Sequence, residues 1–296
     1  MKLKIELDKI MYQKLSKSGT DIPSLGLGTW DLKQSECSRV VSEALDLGYR
    51  HIDAAAMYEN ESEVGAGIID SRVDRAELFL ATKINTLGWT PSGGQGPQLK
   101  NKNIIKSLEK SLEDLKTDYV DLLLIHWPKF ETNLGDMLEI MYEIKASQKA
   151  TEIGVANFNS NLLNECVNLG FNDLFCNQVE YHPFLSQSKL LDTMKSLDII
   201  PVAYCPICRG DVAKDDVIIN LSEKYSKTPA QIALRWIVQQ NAVAIPKTAN
   251  LERLKENSNI YDFNLDESDM EQIFGLQRNQ RLVPNLESNE SLYPWD

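Results

Sequence analysis

Eight short apolar runs recur along this chain, at 24–30, 50–53, 78–83, 119–125, 153–156, 175–179, 199–204 and 243–245, and amphipathic stretches separate them. Runs of this length predict strands. Several lack the polar alternation of a half-exposed strand, Val120-Asp121-Leu122-Leu123-Leu124-Ile125 being nearly apolar throughout. Such strands are covered on both faces, as in a parallel sheet flanked by helices. Between them, Val40, Val41, Ala44 and Leu45 share one helical face, and Gly48 stands where a left-handed cap ends a helix. Ile104, Leu108, Leu112 and Leu115 repeat at helical spacing. Ser160 precedes Leu162, Leu163, Cys166 and Val167, and Gly170 closes that segment. Thr228-Pro229 opens a mostly buried helix over 230–238, with Thr as N-cap and Pro in the first turn. Strands alternating with helices predict right-handed crossovers and a parallel sheet, closed as a barrel or open and doubly wound.

Composition narrows the class. A length of 296 residues suits one large α/β barrel or two ordinary domains, and no composition break marks a linker, so 1–296 is expected to be one domain. No apolar run reaches the roughly 20 residues of a membrane span. Met1-Lys2-Leu3-Lys4-Ile5-Glu6 lacks the pattern of a secretory signal, so a cytoplasmic location is expected. A net charge of −12 repels phosphate backbones and argues against a nucleic-acid partner. The five cysteines are an odd number in a large chain, which argues against a disulfide framework.

Polar residues end three successive strands: Asp53 the second, Lys83 the third and His126 the fourth, with Tyr58 five residues after Asp53. In a barrel those ends converge on one mouth. A phenol with its ordinary pKa of ~10 is a poor proton donor at neutral pH. An adjacent Lys ammonium is expected to lower that value, a carboxylate to keep the Lys charged, and a neutral His to orient a substrate oxygen. Together they suit the reduction of a carbonyl, in which an alkoxide develops and must be protonated. A metal-dependent hydrolase is the rival from another class, since His51 and Asp53 lie on one face of a strand. Only three histidines exist, however, and His51 is read as a packed core residue, with no metal expected.

With those residues in place, the chain resembles the aldo-keto reductase family over nearly its whole length. The run Gly48-Tyr49-Arg50-His51-Ile52-Asp53-Ala54-Ala55-Ala56-Met57-Tyr58-Glu59-Asn60-Glu61 is similar to the first family signature. Leu124-Ile125-His126-Trp127-Pro128, Gly154-Val155-Ala156-Asn157-Phe158, Asn177-Gln178-Val179-Glu180-Tyr181-His182-Pro183 and Ile245-Pro246-Lys247-Thr248 follow in family order. The resemblance implies an α/β fold, a (β/α)8 TIM barrel with an N-terminal hairpin and a C-terminal loop over the active-site face. It implies NADPH (NADP+) as cofactor, a small-molecule carbonyl as substrate, and a monomer. Tyr58 would be the general acid, supported by Asp53, Lys83 and His126. Asn157 and Gln178 would hold the nicotinamide carboxamide, Tyr204 would stack on its ring, and Lys247, Thr248, Arg253 and Asn257 would hold the adenosine end. Lys247 and Arg253 are the chemistry a 2′-phosphate needs. Trp30, Trp89 and Trp127 are expected to line the substrate pocket.

The tail residues Gln280-Arg281-Leu282-Val283-Pro284 and Pro294-Trp295-Asp296 resemble those of compact bacterial members described as 2,5-diketo-gluconate or methylglyoxal reductases. Three features depart from the family pattern: Ala156 and Cys205 stand where Ser is usual, and the irregular 85–101 segment is longer than in compact members. Cys205-Pro206-Ile207-Cys208 has the spacing of a redox pair. A cofactor-binding regulatory barrel without turnover is the non-enzymatic alternative. Gly65-Ala66-Gly67 falls within a predicted helix and is a poor match to a dinucleotide-binding turn.

Overall fold

The computed structural model describes residues 14–88, 103–128, 133–283 and 296. An antiparallel hairpin, β1 (Lys14–Lys17) and β2 (Thr20–Pro23), comes first. Eight parallel strands follow: β3 (Leu27–Gly28), β4 (His51–Asp53), β5 (Phe79–Ile84), β6 (Val120–Ile125), β7 (Ala150–Ala156), β8 (Cys176–Glu180), β9 (Ile200–Tyr204) and β10 (Val243–Ala244). Each pairs with its chain neighbour. A parallel bridge between Leu25 and Ala244 joins the two ends of the sheet. There Gly26 N–H donates to the Ala244 carbonyl at 2.9 Å, and Ala244 N–H to that of Ser24 at 2.8 Å. The sheet is therefore a closed barrel, which settles the choice that strand–helix alternation left open.

Two cores follow from the pleat, since successive strand residues face opposite sides. One lies inside the barrel and includes Phe79, Ala81, Leu122, Leu124, Ala156, Cys176, Val202, Val243 and Ile245. The other lies between barrel and helices, with Leu80, Leu123, Ile125, Ile153, Val155, Val179 and Ala203 on the strand side. His51 is buried in the inner layer against Phe79, ring centroids 5.1 Å apart, as the core reading expected. The hairpin covers the lower end of the barrel. Its Ile22 joins the inner core, and the buried Lys17 ammonium donates to the carbonyls of Leu174 and Asp198.

The helices begin and end where their sequence dictates. Gln34–Asp46 closes with Gly48 at φ 99°, its N–H bonded to the Leu45 carbonyl and that of Tyr49 to Ala44. This is the left-handed cap expected of that glycine. Thr228 caps Pro229–Val238 in a reciprocal pair with Gln231. Ser160–Asn168 is capped one residue before Ser160, by the Asn159 side chain on the Leu162 N–H at 2.9 Å. Among the described residues no helix is long and apolar enough to cross a membrane.

Gly65 and Gly67 lie in the helix Glu61–Ser71 and let it approach both neighbours. A Cβ on Gly65 would stand 2.5 Å from the Asp114 carbonyl oxygen and 2.7 Å from the Leu115 carbonyl carbon. Helix propensity favours alanine there by about 1 kcal/mol, but overpacking against backbone costs about 1–3 kcal/mol. The Gly65→Ala variant is expected to lose up to about 2 kcal/mol of stability, read from urea midpoints; a gain would mean that the two helices part without cost.

Candidate active site

The period-two pleat that fills the barrel also aims the polar residues. Asp53 faces inward with His51, Lys83 with Phe79 and Ala81, Gln178 with Cys176, and Tyr204 with Val202. His126 continues the inward series of Leu122 and Leu124 one residue beyond β6. All but Gln178, midway along β8, lie at the C-terminal ends of strands, where (β/α)8 proteins build their sites. Tyr58 arrives from a different element, the 3-10 turn Ala56–Tyr58 after β4, which Glu59 ends in the left-handed conformation. The buried Asn60 side chain then donates to the carbonyls of Thr29 and Leu32 at 2.8 and 2.9 Å. It ties the Tyr58 turn to the segment bearing Trp30, which meets the Tyr58 ring edge-on at 5.0 Å.

Four expected residues come together here. Lys83 Nζ donates to Asp53 Oδ1 at 2.5 Å, to the Ala54 carbonyl at 2.8 Å and to the Tyr58 hydroxyl at 3.3 Å. The His126 ring packs on Tyr58 with centroids 5.6 Å apart. Three further residues join the cluster. Gln178 Nε2 donates to Asp53 Oδ2 at 2.7 Å, Asn157 Nδ2 to the His126 carbonyl at 2.9 Å, and the Tyr204 hydroxyl to Asn157 Oδ1 at 2.9 Å. Asp53 thus has one oxygen on the ammonium and the other on an amide.

Burial dominates the protonation states. It pushes the Tyr58 phenol well above its ordinary value, with the Asp53 charge adding to the effect. The sequence argument expected the opposite, a phenol lowered by Lys83. The physical reason is that Lys83 is committed to Asp53, whose own charge disfavours a phenolate, while desolvation of a phenolate remains in full. Burial also pulls Lys83 below its ordinary value, with Asp53 opposing. His126 is driven well below its ordinary value by burial and then by Lys83. Its Nδ1 is buried with no hydrogen-bond partner among the described residues.

Trp127 is buried and stacks on His126 at 6.4 Å, its carbonyl accepting from Thr86 Oγ1 at 2.8 Å. Trp89 and most of the 85–101 segment lie outside the described residues. Lys247, Thr248, Arg253 and Asn257 form a separate group after β10, on and before the helix Leu251–Ser258. Thr248 and Asn257 are buried, whereas Lys247 and Arg253 are exposed and enter no ion pair among the described residues. No hydrogen bond among the described residues links this group to Asp53 and its partners. The Cys205 thiol is half-buried and pushed up to about 11, and Cys208 is buried and pushed up to about 12, burial being the main cause for both. Reactive thiols are shifted the other way. The described residues include no group of three or more His, Cys, Asp or Glu side chains that could hold a metal ion.

What the fold and its mouth define is a (β/α)8 protein with a buried ion pair set against a buried phenol. The chain belongs to the aldo/keto reductase family, whose model matches residues 24–278. It is 36% identical over 269 residues to a glyoxal reductase of Bacillus subtilis, covering 90% of this chain and 94% of that one. It is 36% identical over 279 residues to a methylglyoxal reductase of Salmonella typhimurium, covering 93% and 99%. Among solved structures, a chain provisionally named 2,5-diketo-D-gluconic acid reductase B superposes with a TM-score of 0.87 at 36% identity, covering 98% of this chain and 99% of that one. An aldo-keto reductase from a deep-sea metagenome gives 0.84 at 33% identity, covering 92% and 97%.

The buried histidines carry a pH dependence. His51 is pushed down to about 4 by burial, and His126 moves in the same direction. Both stay neutral when folded but protonate near pH ~6.5 when unfolded, so the unfolded state binds more protons and stability falls as pH drops below that value. Between pH 7 and 5 His51 contributes a loss of about 2 kcal/mol, and His126 acts in the same direction. Urea midpoints should therefore fall across that interval, and a flat profile would contradict the burial of both rings in neutral form.

Proposed function

We propose that this protein is an NADPH-dependent reductase of aldehydes and ketones, with Tyr58 as the proton donor. The observation that carries the reading is the Asp53–Lys83–Tyr58 chain at the mouth of the barrel, at 2.5 and 3.3 Å. Its nearest support from relatives is that the curated proteins it matches are named glyoxal and methylglyoxal reductases. Small dicarbonyls are accordingly the substrate class proposed first.

The residues suit the cofactor. Gln178 spends one N–H on Asp53, which leaves its other N–H and its carbonyl oxygen for a carboxamide. Asn157 keeps a second N–H for the same group. Tyr204, at the end of β9, donates to Asn157 Oδ1 and would offer its ring to the nicotinamide. Lys247 and Arg253 are cations without acidic partners among the described residues, although the chain carries a net charge of −12. They would hold a 2′-phosphate, with Thr248 and Asn257 beside them. When bound, NADPH supplies the hydride.

The chain's own groups do the rest. His126, neutral and desolvated, would hold the carbonyl oxygen close to the Tyr58 hydroxyl. Tyr58 stays protonated at rest because burial disfavours its phenolate. It would release the proton as negative charge builds on the substrate oxygen, and the Lys83 ammonium would then face the phenolate left behind. Asp53 keeps that ammonium in place, and Trp30 and Trp127 would flank the substrate.

Two experiments bear on these assignments. Loss of absorbance at 340 nm is expected with NADPH and methylglyoxal, a benzaldehyde or a keto-sugar acid. Tyr58→Phe should abolish it by three orders of magnitude or so while leaving NADPH affinity nearly unchanged, since a positioned acid is worth ~10²–10⁴-fold. An active Phe variant would remove Tyr58 from the role, and tight NADPH binding by a wild-type chain without turnover would favour a non-catalytic barrel. Separately, Lys247→Ala is expected to weaken NADPH at least tenfold more than NADH, by titration calorimetry. Equal weakening would rule out a 2′-phosphate contact.

A further inference from the structure

The layer between barrel and helices holds a polar side chain that the chemistry above does not use. Along β8, Cys176 and Gln178 face inward, so Asn177 shares the outward side with Val179. Asn177 is wholly buried in that apolar layer. An amide taken out of water is tolerated there only if its polar atoms are bonded. Both of its ends go to one residue. Nδ2 donates to the Phe158 carbonyl at 2.9 Å, and Oδ1 accepts from the Phe158 N–H at 3.4 Å.

The course of the backbone explains this pairing. β7 ends at Ala156, and the next N–H, that of Asn157, still donates to the Gln178 carbonyl at 2.9 Å. Asn157 itself takes φ 63°, and the chain turns out of the ladder there. Residues with a Cβ rarely enter that left-handed region, asparagine more readily than most, and they persist in it only where the surroundings hold them. Phe158 is buried beyond the turn, past the last strand pair of Ala156 with Gln178. The Asn177 side chain gives it a donor and an acceptor in place of a strand neighbour's backbone. One residue further, Asn159 caps the helix Ser160–Asn168, so the turn is fixed at its far side as well.

The amide of Asn157 takes its direction from this turn. It donates to the His126 carbonyl and accepts from the Tyr204 hydroxyl, both at 2.9 Å, which places it among the groups at the mouth. We propose that Asn177 is a positioning residue for the nicotinamide end of the cofactor. From outside the barrel it holds the 157–158 turn in the shape that presents Asn157 to the carboxamide. The proposal rests on the NADPH-dependent reading above. Alanine at 177 would leave the Phe158 carbonyl without this donor and release the backbone that aims Asn157.

The test compares two ligands by titration calorimetry: NADPH, and adenosine 2′,5′-bisphosphate, which has the adenosine end and its 2′-phosphate but no nicotinamide. Wild type should bind NADPH the more tightly of the two. Asn177→Ala should weaken NADPH at least fivefold and leave the bisphosphate within about twofold, since Lys247 and Arg253 belong to a separate group after β10. Asn157→Ala should show the same selective loss, and the double variant should be no worse than the weaker of the two single variants, because both act on one amide. An unchanged NADPH affinity, equal weakening of both ligands, or losses that multiply in the double variant would overturn the proposal. If Asn177→Ala does not fold, Asn177→Ser decides by the same ratio, its hydroxyl ending one bond short of the amide atoms. Wild type that binds the two ligands alike would sink the cofactor reading itself, whereas selective binding that survives Asn177→Ala sinks only the role of Asn177.

Discussion

Every barrel strand sends alternate side chains inward, and the Leu25–Ala244 bridge closes the ring that makes those columns meet. That constraint governs both packing and chemistry. The columns that contribute Phe79, Leu122, Cys176 and Val202 to the interior lead, two or four residues later, to Lys83, His126, Gln178 and Tyr204. A one-residue slip in any strand would turn its outward apolar residues into the barrel and carry its functional group away from the mouth. The site is precise because it is the continuation of the core.

The Asp53–Lys83 pair is the costliest element in that arrangement. Both side chains are almost wholly buried, and removing one partner from such a pair costs about 3–5 kcal/mol. Hydrophobic replacements of similar volume would serve stability as well or better. The carbonyl of Ala54 and the amide of Gln178 complete the hydrogen bonding of the two charges. Burial keeps the Tyr58 phenol protonated at rest, and the Asp53 charge works in the same direction.

Strand and helix positions were legible in the sequence because buried parallel strands are apolar runs and their helices carry local end signals. Gly48, Thr228 and Pro229 each act within a few residues of where they stand. Asp53, Lys83 and His126 could be singled out because charged groups at the ends of apolar strands need a reason to be there. Other features depend on contacts across the chain and leave no local mark. Glu180 sits inside a recognisable motif, but two of the three groups it binds are amides 102 and 103 positions away. Asn60 looks like an ordinary residue before a helix, yet it joins two loops. The phenol's shift runs against the sequence expectation because the sequence shows which charges are near but not how much water the site excludes. Gly65 and Gly67 could be placed in a helix, whereas the neighbours that require them belong to other helices.

The hairpin beneath the barrel has a consequence at the opposite end. Lys17 holds the carbonyls of Leu174 and Asp198, which lie just before β8 and β9, the strands that carry Gln178, Glu180 and Tyr204 upward. One ammonium is thus a common footing for two columns of the mouth. Natural variation at position 17 would be screened by what happens a full strand's length above it, so remoteness from the reacting groups gives this lysine no licence to drift.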